Sequence, residues 1–331
     1  MNGAEVKVGI VSTHRRWSSG SEAWARYHLA LGFTKLYVFT DDGCAPSVPS
    51  SLAVQLTPCA PEYWASNSLK GLFTEQVRDI ERDFGTAQWG NPKRVMARQT
   101  HNACEGLVRS SQDGIDWLLH IDDDEYFWCP GASIHGHFDG LNRAGIGSVT
   151  YLNHEAVLLD ESAPATEKRR TSFKKHRYAL TVEQQNALPN LLPGKPYFAS
   201  HSSGKAAARV TAKTAPLGVH SFIVDDRTLG VGISRVPGIL HQPYKSVGQF
   251  LDKHLSQGEF QVEQVFDGPA GPPGVHAEAQ RLCRNKDTDG LRSLYARAVA
   301  WSQAERDRLE AEGFLLTPDA ALPIDEGCIV G

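Results

Sequence analysis

The chain is short of several things, and each shortage excludes something. It has six cysteines in 331 residues (Cys44, Cys59, Cys104, Cys129, Cys283 and Cys328), and none forms a C-x-x-C pair or another metal-ligand spacing. That excludes a cysteine zinc site and a thioredoxin-like motif, and it reads as the free-thiol usage of an intracellular protein. There is no Asn-x-Ser/Thr sequon, in keeping with a chain that stays off the secretory route. No apolar run approaches the length of a membrane-spanning helix. The first residues, Met1-Asn2-Gly3-Ala4-Glu5, lack the basic and apolar regions of a signal peptide. The expectation is therefore a cytoplasmic chain with no transmembrane segment; the alternative is a Golgi-type chain trimmed of its anchor. Positive charge is short too. The formal net charge is -4, so no global basic field draws in nucleic acid or an anionic membrane. Internal repeats and low-complexity tracts are absent.

What is present is ordinary globular material, 41% hydrophobic and 22% charged, long enough for one large α/β domain or two smaller ones. Val6–Val11 predicts a first strand, followed by a polar loop, Ser12-Thr13-His14-Arg15-Arg16. A helix is expected over Ser21–Leu31, capped by Ser21 and ended by Gly32, with Trp24, Tyr27 and Leu31 at helical spacing. Lys35–Phe39 predicts a second strand ending at Asp41-Asp42, which makes a βαβ unit. Ala53–Leu56 is a third strand candidate. Asn91-Pro92 opens a helix to about Arg109, and Asp113-Gly114 is a turn. From Asp160 to Pro216 the pattern is mostly loop. Two short strands, each with a histidine, are expected at Gly218–Phe222 and Gly238–His241. Lys245 to about Gly258 reads as helix, Phe266–Val275 as a Gly/Pro-rich connector, and Ala277–Glu312 as helix broken near Asp289-Gly290.

One stretch stands out. Residues 117–128 read Trp-Leu-Leu-His-Ile-Asp-Asp-Asp-Glu-Tyr-Phe-Trp. The apolar run Trp117–Ile121 has the length of a buried strand. Asp122, Asp123, Asp124 and Glu125 then sit at its carboxyl end, where open α/β sheets bind ligands. Crowded carboxylates between aromatics repel one another and are poorly solvated. A hard cation, Mn²⁺ or Mg²⁺, relieves that repulsion through oxygen ligands. The plain alternative is a solvated loop, but a solvated run rarely has apolar residues tight on both sides. Asp41-Asp42 and the His14-Arg15-Arg16 loop follow other strands, so a parallel sheet brings them to the same edge. Carboxylates and basic groups together suit a nucleoside diphosphate with its metal.

Trp117-Leu-Leu-His-Ile-Asp-Asp-Asp-Glu-Tyr resembles the Trp-Leu-x-x-Ile-Asp-x-Asp-Glu-Phe segment of GT-A glycosyltransferases, notably family 92 and family-2-like enzymes. The segment from Glu22-Ala-Trp to Phe39-Thr-Asp-Asp is similar to that family's glutamate–tryptophan helix and following strand. Leu240-His241-Gln-Pro-Tyr244-Lys245-Ser246, with Phe250 and Lys253, resembles its late histidine–tyrosine element. These blocks keep the family's order over most of residues 5–258. Two departures stand out: Thr13-His14-Arg15-Arg16 replaces the family's Lys-Asn-Glu, and Gln242-Pro243 interrupts the late His-Tyr pair.

The resemblance implies an α/β fold of the GT-A, Rossmann-like kind: a mixed, mostly parallel sheet flanked by helices. The catalytic domain would span 1–258 and a mainly helical extension 259–331. It implies metal-dependent transfer of a hexosyl or pentosyl group from a UDP- or GDP-sugar to a hydroxyl, on a glycan or other glycoconjugate acceptor, with inversion. Asp122 and Asp124 would hold Mn²⁺ (or Mg²⁺), with His220 as third ligand and His241 next in line. Residues two apart on an extended strand share a side, so Asp122 and Asp124 would address one site and Asp123 would turn to the ribose. Thr13, Arg15, Asp41, Asp42 and Lys205 would contact the donor nucleotide. Glu155, Glu125 or Asp160 would supply the base. Two other readings of the acidic cluster are a metal-dependent phosphohydrolase or nucleotidyltransferase, and a non-catalytic carbohydrate-binding protein on the same fold. The oligomeric state is not legible.

Overall fold

The structure, a computed structural model, describes residues 5–66, 95–160, 163, 171–226, 228–256, 274–318 and 322. In chain order the elements are β1 (Val8–His14), α1 (Ser19–Ala30), β2 (Lys35–Thr40), β3 (Val54–Pro58), α2 (Pro61–Ser66), α3 (Val95–Gln112), β4 (Trp117–His120), β5 (Glu125–Trp128), α4 (Ile134–Arg143), β6 (Ile146–Ala156), β7 (Leu158–Leu159) and β8 (Phe173–Lys174). They continue with α5 (Val182–Leu191), β9 (Lys205–Arg209), β10 (Thr214–Leu217), β11 (Ser221–Val224), β12 (Gly230–His241), α6 (Val247–Ser256), α7 (Val275–Arg284), α8 (Thr288–Ala298), β13 (Ala300–Trp301), α9 (Gln303–Ala311) and β14 (Leu315–Leu316). The described residues form two compact units, one within Met1–Leu152 and Ser203–Ile239 and the other within Asn153–Ser202 and Leu240–Pro318. The division falls inside β6 and β12.

The fold is mixed α/β. In the first unit β3, β2, β1 and β4 lie side by side in parallel, and β9 and then β6 extend the sheet antiparallel. The β-branched and aromatic residues of β1 and β2 are buried throughout, as strands covered on both faces require. Val11, Tyr37, Phe39, Leu118, Ala206 and Ala208 pack with Ala103 and Leu107 of α3. Gly106 lets that helix close onto β1, since a Cβ there would stand 2.7 Å from Val11 Cγ2. In the second unit Glu155–Ala156 pairs with β8, and β8 with β14. Helices α6, α7 and α8 share one core, and Trp301, Leu309 and Phe314 anchor another.

Several sequence expectations shift. The first strand runs through His14, so Ser12, Thr13 and His14 are buried strand residues rather than loop. Ser18, not Ser21, is the N-cap of α1; Ser21 is the third residue of a capping box and returns its hydroxyl to the cap. Gly32, at φ 106°, does end the helix. Asn153-His154-Glu155 lies within β6. His220 lies in the turn between β10 and β11, not on a strand. The C-terminal helical region breaks at 285–287, with Asp287 capping α8, and again at 299–302 around β13. The Asn91-Pro92 helix start and the connector up to residue 273 lie outside the described residues. Cys44, Cys59, Cys104, Cys129 and Cys283 are free thiols. Among the described residues no helix is long and apolar enough to cross a membrane.

Candidate functional site

The acids after β4 do not continue as an extended strand. They form a tight turn, in which the Glu125 amide donates to the Asp122 carbonyl at 3.2 Å. The Asp122 amide in return donates to Glu125 Oε2 at 2.8 Å. Asp123 is exposed at the tip, Asp122 and Asp124 are half-buried and Glu125 is buried. The strand-alternation argument for pairing Asp122 with Asp124 therefore does not apply. Their charges nonetheless act together on His14 and on Lys205.

Lys205 reaches this turn because of register. β9 runs antiparallel to β4 with Ala206 opposite His120, so Lys205 falls at the acidic end. Gly204, at φ 70°, makes the approach possible: a Cβ there would lie 2.2 Å from the Tyr151 carbonyl oxygen. The Lys205 ammonium is fully buried, 2.6 Å from Asp122 Oδ2 and 3.4 Å from Glu125 Oε2. Burial alone would lower its pKa, but Asp122 and then Glu125 raise it above the ordinary lysine value. Burial likewise pushes the Asp122 carboxyl up, and Lys205 overcomes this to hold it below the usual range. Asp122 Oδ1 accepts from Gln99 Nε2 at 2.8 Å. His120, beneath the turn, is driven down to about 3 by burial and then by Lys205, so it is a neutral imidazole.

Helix α1 explains its own aromatic residues. Trp24 Nε1 donates to the Glu125 carbonyl at 2.8 Å, and the Tyr27 hydroxyl donates to the Phe127 carbonyl at 2.9 Å. His28 Nε2 accepts from the Phe127 amide at 3.1 Å, which makes Nδ1 the donor to the Trp24 carbonyl. The helix thus clamps β5, the strand that leaves the acidic turn. His14 lies against Trp24 with ring centroids 4.9 Å apart. Ser21 Oγ donates to the Arg16 carbonyl, so His14 Nδ1 is the donor to Ser21 and the lone pair stays on Nε2. That Nε2 is buried and has no hydrogen-bond partner among the described residues. Burial lowers the His14 pKa to about 4 despite the opposing charges of Asp122 and Asp124.

At the end of β2, Asp41 is gripped by Arg98, whose Nε and Nη2 stand 2.7 and 2.6 Å from its two oxygens. Asp42 accepts from the Cys44 amide at 3.0 Å and caps its own turn. Thr13 Oγ1 accepts from Asn102 Nδ2 at 2.9 Å, and Arg15 is exposed. His220 donates through Nδ1 to the Gly204 carbonyl at 2.8 Å and so braces the residue before Lys205. Thus Thr13, Arg15, Asp41, Asp42, Asp122, Asp123, Asp124, Glu125, Lys205 and His220 all belong to the first unit. Arg98, Gln99 and Asn102 were not singled out from the sequence, and His14 enters there only as part of the basic loop after the first strand.

The remaining candidates belong to the second unit. Glu155 and Lys174 form a buried pair at 2.6 Å. Glu155 also accepts from the amides of Ala199 and Ser200 at 2.8 and 2.7 Å, so its carboxylate holds the loop before His201. The His201 and His241 rings lie 4.9 Å apart.

The carboxylate oxygens of the turn are donors of the kind that Mg²⁺ or Mn²⁺ takes, and the buried His14 Nε2 lone pair lies in the field of Asp122 and Asp124.

No protein-family model matches the chain. It is similar to two glycosyltransferase-like proteins of Arabidopsis thaliana, 25% identical over 212 residues and 22% identical over 205. Each match takes in 60% of this chain but 45% and 40% of the relative, so the chain spans less than half the length of the curated relatives it matches. Among solved structures it is similar to the mannosyltransferase Ktr4p from S. cerevisiae, at 14% identity and TM-score 0.25 over 56% of this chain and 46% of that one. It is also similar to core-mannan synthase A from Aspergillus fumigatus in its Mn/GDP form, at 10% identity and TM-score 0.29 over 63% and 61%.

Proposed function

We propose that this chain transfers a glycosyl group from a nucleoside-diphosphate sugar to a hydroxyl acceptor, with a divalent cation at the acidic turn. The observation that carries the reading is the turn itself: Asp122, Asp124 and Glu125 at the carboxyl end of β4, beside the ends of β1 and β2. The sequence similarity to glycosyltransferase-like proteins supports it. In this reading Asp122 and Asp124 hold the cation, and His14, whose buried Nε2 has no hydrogen-bond partner among the described residues, supplies a nitrogen donor in place of His220. When bound, the cation offsets negative charge that grows on the departing nucleoside diphosphate. Lys205 fixes the Asp122 carboxylate and keeps it ionised. Glu125 shapes the turn through its bond to the Asp122 amide. Asp41, Asp42, Thr13 and Arg15 form the nucleoside side of the same sheet edge. Glu155 holds a loop of the second unit. The acceptor is a glycan or glycoconjugate, and inversion at the anomeric carbon follows the family resemblance.

Incubation with UDP- and GDP-sugars and Mn²⁺ tests this. The reading expects slow release of UDP or GDP that stops on chelation and in Asp124→Ala. Release of inorganic phosphate instead would favour the phosphohydrolase alternative, and no release of any nucleotide would sink the enzymatic reading.

A further inference from the structure

Three side chains near the start of α3 reach three neighbouring strand ends. Arg98 grips Asp41 after β2, Asn102 holds Thr13 at the end of β1, and Gln99 holds Asp122 after β4. The order is not arbitrary. An α-helix turns about 100° per residue, so viewed down the axis Arg98, Asn102 and Gln99 fall at about 0°, 40° and 100°. Across the sheet the strands lie in the order β2, β1, β4. The angular order on the helix matches the lateral order of the strands. Gly106 keeps the helix tight on β1, and Asn102, itself buried, is fixed from behind by the Tyr63 hydroxyl at 2.9 Å.

We propose that α3 is a positioning element for the donor site: Arg98 sets Asp41 on the nucleoside side, Gln99 sets Asp122 on the cation side, and the rigid helix fixes the spacing between them. The inference rests on the glycosyl-transfer reading and adds to it residues that touch neither sugar nor cation. A divided role predicts divided effects. Arg98→Lys keeps the charge but loses the two-pronged grip on Asp41. Gln99→Met keeps length and helix propensity but removes the donor to Asp122.

The experiment is equilibrium binding to the full chain, using UDP, GDP and inorganic pyrophosphate with Mn²⁺, and Mn²⁺ titrated at fixed nucleotide. Arg98→Lys should weaken the nucleoside diphosphate roughly tenfold while pyrophosphate stays within about twofold. Gln99→Met should raise the Mn²⁺ needed for half-saturation roughly tenfold, the scale of lost support behind a metal ligand. Asp41→Asn should weaken the nucleoside diphosphate at least as much as Arg98→Lys, and adding Arg98→Lys to it should cause no further loss. Equal shifts in every readout, tracking a fall in Tm, would reduce the residues to plain structural roles and overturn the inference. So would nucleotide binding by the parent with unchanged affinities in both variants, which would leave the glycosyl-transfer reading intact. Failure of the parent chain to bind any of these ligands would overturn both.

Discussion

Removing Lys205 is the sharpest perturbation of the acidic turn. Its ammonium stands 2.6 Å from Asp122 and 3.4 Å from Glu125, fully buried. At an effective dielectric near 20 these pairs attract by roughly 6 and 5 kcal/mol, most of which offsets the cost of burying the ions. Lys205→Met removes the attraction and leaves buried Glu125 and half-buried Asp122 without their counter-ion, a net loss of about 3–5 kcal/mol. At about 2–4 °C per kcal/mol the midpoint should fall by roughly 6–20 °C. The pH dependence has a definite sign. Asp122 is held below its usual value, so its share of stability is present above about pH 4 and lost as pH falls through the folded pKa. Lys205 is raised, so its share is full below about pH 10.4 and lost as pH rises through its folded pKa. Thermal unfolding of parent and variant should therefore differ most near neutrality, and the gap should narrow below about pH 4. Adding Asp122→Asn to the variant should restore part of the loss. A neutral-pH difference under about 1 kcal/mol, or no recovery in the double variant, would refute the argument.

Other substitutions test other parts. Gly204→Ala forces a Cβ onto the Tyr151 carbonyl at positive φ, and urea unfolding should show a loss above about 3 kcal/mol. Glu155→Gln strands Lys174 in the second unit; calorimetry should show a loss of about 3–5 kcal/mol, partly recovered with Lys174→Met. Asp124→Ala, at a half-buried turn position, should leave the unliganded midpoint within a few degrees and abolish cation-dependent nucleotide binding in a thermal-shift assay.

The sheet was legible in the sequence wherever strands are short apolar runs bounded by acids or glycine, as with β2 and β4. The end of β1 was not, because Thr13 and His14 look like loop residues until burial and the bonds from Asn102 to Thr13 and from His14 to Ser21 account for them. The acidic cluster was legible as a site, but its shape was not. A turn closed by Glu125 on Asp122 depends on a side chain bonding a backbone amide three residues back, which strand periodicity does not encode. The family resemblance puts Lys205 among the donor-nucleotide contacts. The antiparallel register of β9 against β4 makes it the counter-ion of Asp122 instead. Arg98 and Gln99 gave no signal, since polar residues on an amphipathic helix look alike until the helix meets the sheet.

The central claim is that the turn at 122–125 binds a divalent cation together with a nucleoside diphosphate. Thermal shift of the full chain with UDP, GDP, CMP and ADP, each with and without Mn²⁺, tests it directly. The account predicts a midpoint rise with UDP or GDP and Mn²⁺ together that well exceeds the sum of their separate effects. Additive or absent shifts across all four nucleotides would contradict it.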